Sequence, residues 1–150
     1  MPRVSRAIYV FLLGILMGGA PLLSMAQDPT TARGAVTANP SRLAVVWTSG
    51  DPEVAHRVCL MYAHAARQQK WFDEVTLVVW GPSARLLAAD KDLQAKVKGM
   101  LADGVIVRAC VVCADSYGVT EKLRSLEFTV EPMGKPLTDF LKEGWKVLTF

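Results

Sequence analysis

Three short, unbroken apolar runs punctuate the chain: Leu43–Thr48, Val75–Trp80 and Val105–Ala109. None alternates polar with apolar positions as a half-exposed strand does, so each predicts a strand covered on both faces. Weaker fourth and fifth strands are expected over Thr129–Glu131 and Lys146–Thr149. Between the first two runs, Val54, Val58, Met61, Tyr62 and Ala65 recur at helical spacing within residues 53–69, and Asp51-Pro52 supplies a cap and a first-turn proline. A second helical region spans 83–102, broken near Ala89-Asp90 and closed by Gly104. Further helices are expected over 117–125 and 137–143. Strands alternating with helices through short links predict an α/β fold, a Rossmann-like three-layer sandwich around a mainly parallel five-stranded sheet.

The front of the chain breaks this pattern. Arg3 and Arg6 precede a charge-free apolar run over residues 7–23, and Ser24-Met25-Ala26 has the small-x-small form of a cleavage site. These features predict a signal peptide over 1–26, a flexible Thr/Ala/Pro/Gly-rich tether over 27–42, and one domain over 43–150. The expected location is periplasmic or secreted, with no membrane association after cleavage. The alternative is an uncleaved inner-membrane anchor, for which ~17 apolar residues is the lower limit. Removing Arg3 and Arg6 lowers the formal net charge from +3 to +1. A nearly neutral domain has no concentrated basic face, so nucleic acid is excluded as a partner.

Three cysteines and two histidines are too few for a disulfide scaffold or a histidine-rich metal centre. No cofactor is expected either, because Gly50, Gly81 and Gly118 do not form a phosphate-binding spacing. In an open parallel sheet, ligands collect beyond the carboxyl ends of the strands. Those ends carry Ser49 and Gly50 after the first strand, Gly81 and Ser83 after the second, and Cys110 and Cys113 after the third. The first four are candidate ligand contacts. Cys110, between a buried strand and a helix start, is the candidate reactive thiol, since backbone N–H groups there stabilise a thiolate.

Cys110 and Cys113 form a C-x-x-C pair with three readings. Half a zinc site lacks its second pair. A redox dithiol suits an oxidising compartment. One reactive cysteine beside a resolving or bystander cysteine is the third. Cys59, on the flank of the first helix, is expected to be structural, and His56 and His64 are expected to be solvated. Trp47 and Trp80 should fill the core, while Trp71 and Trp145 pack loops. Asp115 is either a proton acceptor or a helix cap.

Four segments together resemble a known family: Val45-Val-Trp-Thr-Ser-Gly-Asp51, Val78-Val-Trp-Gly-Pro-Ser-Ala84, Gly104-Val-Ile-Val-Arg-Ala-Cys110 and Ala114-Asp-Ser-Tyr-Gly-Val119. The stretch 43–150 is similar to the DsrE/DsrF family of sulfur-relay-like α/β proteins, which includes the TusBCD components. The resemblance implies a five-stranded parallel sheet and assembly into homo-oligomers. It also implies that a cysteine ending the third strand carries sulfane sulfur as a persulfide, between sulfur-donor and sulfur-acceptor proteins. In such members glycine follows that cysteine by eight positions, as Gly118 follows Cys110. The leading expectation is therefore an exported protein that handles sulfane sulfur or exchanges thiols through Cys110, with Cys113 as a resolving thiol. The alternatives are a non-catalytic ligand-binding or assembly module and a Cys110/Cys113 disulfide oxidoreductase.

Overall fold

β1 (Arg42–Trp47), β2 (Glu74–Val79), β3 (Ile106–Cys110), β4 (Thr129–Glu131) and β5 (Lys146–Thr149) form one sheet in the order β4-β3-β2-β1-β5. A computed structural model describes residues 40–150; the expected signal peptide and residues 27–39 of the expected tether lie outside them. Every strand pair is parallel, so the sheet is wholly rather than mainly parallel. β1 begins at Arg42, inside the last position of the expected tether.

Strand order explains the layering. From β1 to β4 the chain steps repeatedly in one direction, and right-handed crossovers then put all the connecting helices on one face. α1 (Pro52–Val54), α2 (Leu60–Gln68), α3 (Pro82–Ala89), α4 (Lys91–Ala102), α5 (Val111–Ser116) and α6 (Thr120–Arg124) make these connections. Leu60, Ala63, Leu87, Leu93, Val97, Met100 and Leu123 from them are buried against Leu43, Val45, Trp47, Val75, Leu77, Val79 and Val107 of the strands. From β4 the chain returns across the sheet to β5, which places α7 (Gly134–Lys142) on the opposite face. There Phe140 packs with Ala44, Val46, Val78, Cys110 and Met133. The sandwich has three layers, and its third is a single helix.

Aromatic and cationic side chains widen that helix's cover. Phe140 and Trp145 stack with centroids 4.3 Å apart. The Arg42 guanidinium lies 4.8 Å over the Trp145 ring, and that of Arg108 lies 5.5 Å over Phe140. Arg108 also donates to Glu131 at 2.6 Å across the β3–β4 pair. The cations therefore lie on aromatic faces and keep a carboxylate partner. Trp145 thus packs on the α7 side of the sheet, and Trp47 fills the core as expected.

The first helix departs from a regular wheel. A π-turn over Ala55–Cys59 separates α1 from α2. One extra residue per turn rotates everything after it by about 100°. The buried positions are accordingly Ala55, Cys59, Leu60, Ala63 and Ala66, whereas Val58 and Met61, expected to be buried, are exposed. Lys96 Nζ donates to the His56 carbonyl at 3.0 Å, satisfying a carbonyl within the widened turn. Further along, the helical region over 83–102 divides at Asp90, at the break expected near Ala89-Asp90; its carboxylate caps α4 by accepting from the Asp92 and Leu93 amides.

Candidate functional site

The chain leaves β3 toward the six-helix face and leaves β4 toward the α7 face. Adjacent strands whose outgoing connections diverge leave a crevice between their carboxyl ends, where open α/β sheets bind ligands. Cys110 is the last residue of β3 and pairs in register with Glu131, the last of β4. Its position is therefore the switch point of the sheet.

Cys110 leaves the strand with extended backbone (φ −74°, ψ 113°) and is the N-cap of α5. The helix starts immediately, at Val111, ahead of the helix expected over 117–125. Two β-branched residues after an apolar strand look like more strand, and this masked the boundary. Tyr117–Val119 is then a turn, with Gly118 at φ +65°, and the helix expected over 117–125 is the shorter α6. Asp115 accepts from Thr120 Oγ1, holding the α5–α6 turn.

Only 4% of Cys110 is exposed, and its neighbours Val78, Met133 and Phe140 are apolar. Burial alone would raise its thiol pKa. Opposing this are the N–H groups of Cys113 and Met133, the Cys113 thiol and the Val112 N–H, which together hold it below the ordinary value of 9.0. They act as nearby dipoles, since no side-chain hydrogen bond joins Cys110 to the start of α5. Two donors come from the start of α5 and one from the turn after β4, so the diverging chains supply the anion's surroundings from both sides.

Cys113, three residues into the same turn, is partly exposed and packs against both hydrophobic clusters. Its thiol is pushed the other way. Burial raises it, the Gly81 N–H offsets part of that, and the hydrogen bond and negative charge of Cys110 raise it further. The pair is thus polarised: its surroundings favour ionisation of Cys110 over that of Cys113.

The remaining sequence-level candidates divide. Gly81 reaches the sulfurs: its left-handed φ of +68° turns the chain from β2 into α3 and leaves its N–H at Cys113. Ser83 is committed to backbone partners. It is fully buried, and its hydroxyl donates to Trp47 O at 2.5 Å and accepts from Trp80 N at 3.0 Å, tying the ends of β1 and β2 together. Ser49 accepts from the Asp51 amide at 3.1 Å, and a Cβ on Gly50 would stand 3.2 Å from Pro82 Cβ; both residues shape the loop where the β1 and β2 turns meet. Cys59 is completely buried, and burial pushes its thiol up to about 12, with Lys96 opposing slightly. It is structural, as expected. His64 is no free surface residue: it pairs with Asp103 at 2.6 Å, and Gln68 donates to the same carboxylate oxygen.

Helix-start N–H groups beside Cys110 were expected as a class; that Val112 and Cys113 supply them, and that the Met133 N–H joins them from the turn after β4, escaped sequence reading. Amide donors carry no residue-type signature. The divergence of chain direction after β3 and β4 was the signal that could have located them. Among the described residues no cluster of three metal-ligating side chains occurs, and no helix is long and apolar enough to cross a membrane.

Comparison with known proteins agrees with this architecture. The model of the DsrE/DsrF-like family matches residues 41–150. BT1422, a conserved protein of unknown function from Bacteroides thetaiotaomicron, is similar at 32% identity and a TM-score of 0.70; the match covers 73% of this chain and 95% of that one. The ychN protein from E. coli shares the fold at 20% identity and a TM-score of 0.56, over 75% of this chain and all of its own. No curated protein matches the sequence.

Proposed function

We propose, on the premise that this chain belongs to the DsrE/DsrF-like family, that it accepts sulfane sulfur on Cys110 and holds it as a persulfide for onward transfer. The observation that carries this reading is the Cys110 sulfur at the β3/β4 switch point, facing three backbone N–H groups and the Cys113 thiol. Fixed dipoles stabilise a thiolate there without a neighbouring cation. The thiolate attacks the sulfane sulfur of a donor, the donor's sulfur–sulfur bond breaks, and its electron pair leaves with the donor group. The persulfide anion that forms lies near the same N–H groups. Slight exposure of Cys110 favours a slender donor over a bulky one. The amino-terminal pattern supports export, with donor and acceptor proteins met in an oxidising compartment, and the family resemblance supports self-association.

Treating the reduced protein with sodium tetrasulfide and desalting it should add ~32 Da to the Cys110 peptide. Cys110→Ser should abolish the adduct while retaining the circular-dichroism spectrum of the parent. A second reading, a binding or assembly module without turnover, draws on the burial of the thiol. Cys110 that gains no sulfur and also resists a small alkylating reagent would establish the module and remove the carrier.

A further inference from the structure

We propose that Cys113 discharges the sulfur that Cys110 accepts, so that the protein releases it as hydrosulfide and is left with a Cys110–Cys113 disulfide. This rests on Cys110 being the acceptor. In the step, the Cys113 thiol gives up its proton, which passes through solvent to the outer sulfur of the Cys110 persulfide, and the Cys113 sulfur attacks the inner sulfur. The Cys110–Cys113 bond forms as the bond to the outer sulfur breaks, and the electron pair leaves with that sulfur as HS⁻. The sulfane sulfur is reduced by two electrons and the two cysteines are oxidised by two, so no outside oxidant takes part. Restoring the dithiol requires a dithiol reductant.

Geometry is the first support. Cys110 at the N-cap and Cys113 at the third helical position flank one turn of α5, and both side chains pack in the same apolar cluster under α7. That spacing at a helix start is the one in which C-x-x-C dithiols close. Cys113 packs on both hydrophobic clusters, as a residue spanning the gap between them must. The remaining thiol, Cys59, is fully buried within the π-turn of the first helix and does not compete.

Electrostatics supplies an order of events. The Cys110 thiolate keeps Cys113 protonated through hydrogen bonding and charge. Loading moves negative charge from the Cys110 sulfur to the outer sulfur and so relieves Cys113, while the Gly81 N–H continues to favour the Cys113 thiolate. The resolving thiol becomes reactive only once there is sulfur to discharge.

The test follows one loading in the purified chain. Reduced wild type, Cys113→Ser and Cys113→Ala are treated with sodium tetrasulfide, desalted into reductant-free buffer and sampled over time by intact mass, peptide mapping and sulfide assay. In wild type the ~32 Da adduct should decay to a species ~2 Da below the reduced chain, with one equivalent of sulfide and a Cys110–Cys113 cross-linked peptide. In both variants the adduct should persist at least about tenfold longer, because the resolving thiol is gone. An adduct that persists equally in wild type, or sulfide release without the cross-link, overturns the discharge and leaves Cys110 as a carrier. Absence of the adduct from wild type and both variants, with no disulfide formed, overturns both readings.

Discussion

The Val112 N–H is the donor to Cys110 that can be removed with least disturbance. Val112 is 66% exposed and stands in the first turn of α5, where its amide has no intrahelical acceptor. Val112→Pro deletes that amide and keeps a first-turn backbone that proline tolerates. A close hydrogen bond to a charged group contributes ~1.5–3 kcal/mol. This one is the weakest of those acting on Cys110, so its loss should disfavour the thiolate by about 1 kcal/mol. At pH values below the thiol's midpoint that is about a fivefold fall in Cys110 alkylation by iodoacetamide, read by peptide mapping across a pH series. Val111→Pro is the control: it places proline at the first helical position, after a residue whose extended backbone suits it, and leaves every donor to Cys110 in place. Equal rates in the two variants would show that the dipoles around Cys110 do not set its reactivity.

Other outcomes follow from the same structure. Cys59 is ionised in the unfolded chain above 9.0 but stays protonated in the fold until about 12. It therefore costs no stability below pH 9 and progressively more as pH rises toward 12, about 1.4 kcal/mol near pH 10; urea midpoints should fall more shallowly over this range in Cys59→Ala than in wild type. Cys110 has the opposite sign: its lowered pKa adds stability as pH rises from its own midpoint to 9.0, and urea midpoints of Cys110→Ser should lack that increment. Gly81→Ala, with open space for its methyl but φ +68°, should lose ~1–2 kcal/mol in thermal unfolding through backbone strain alone. Phe140→Ala removes the buried ring of the helix that shields the second face and should cost ~3–5 kcal/mol by urea titration.

Much of this architecture was legible because buried parallel strands are written as short apolar runs. β4 and β5 occupy the residues expected, and the helix break at Asp90 followed from its capping side chain. The first helix was harder. A wheel of constant pitch put Val58 and Met61 inside, and no residue type announces the π-turn that turns them outward. α7 starts at Gly134, three residues before the expected Leu137, because Pro136 fits a first turn and was not counted there. At the site, the side chains Cys110 and Cys113 could be named from spacing, whereas their opposite polarisation could not. That difference arises from Met133 and Gly81, brought to the two sulfurs by neighbouring strands. Ser83 shows the converse: a hydroxyl at a strand end reads as a ligand contact until the backbone groups it satisfies are located.

The lone helix on the second face has a consequence for the thiol. α7 begins at the residue after Met133, whose amide attracts the Cys110 sulfur, so docking of the helix and ionisation of the cysteine share one hinge point. Thermodynamic reciprocity then works in both directions: whatever factor the seated helix adds to thiolate formation, the thiolate returns to the seating of the helix. Reagents that cap the sulfur with a neutral group would slacken this half of the molecule, and a partner that grips α7 would sharpen the nucleophile from a distance.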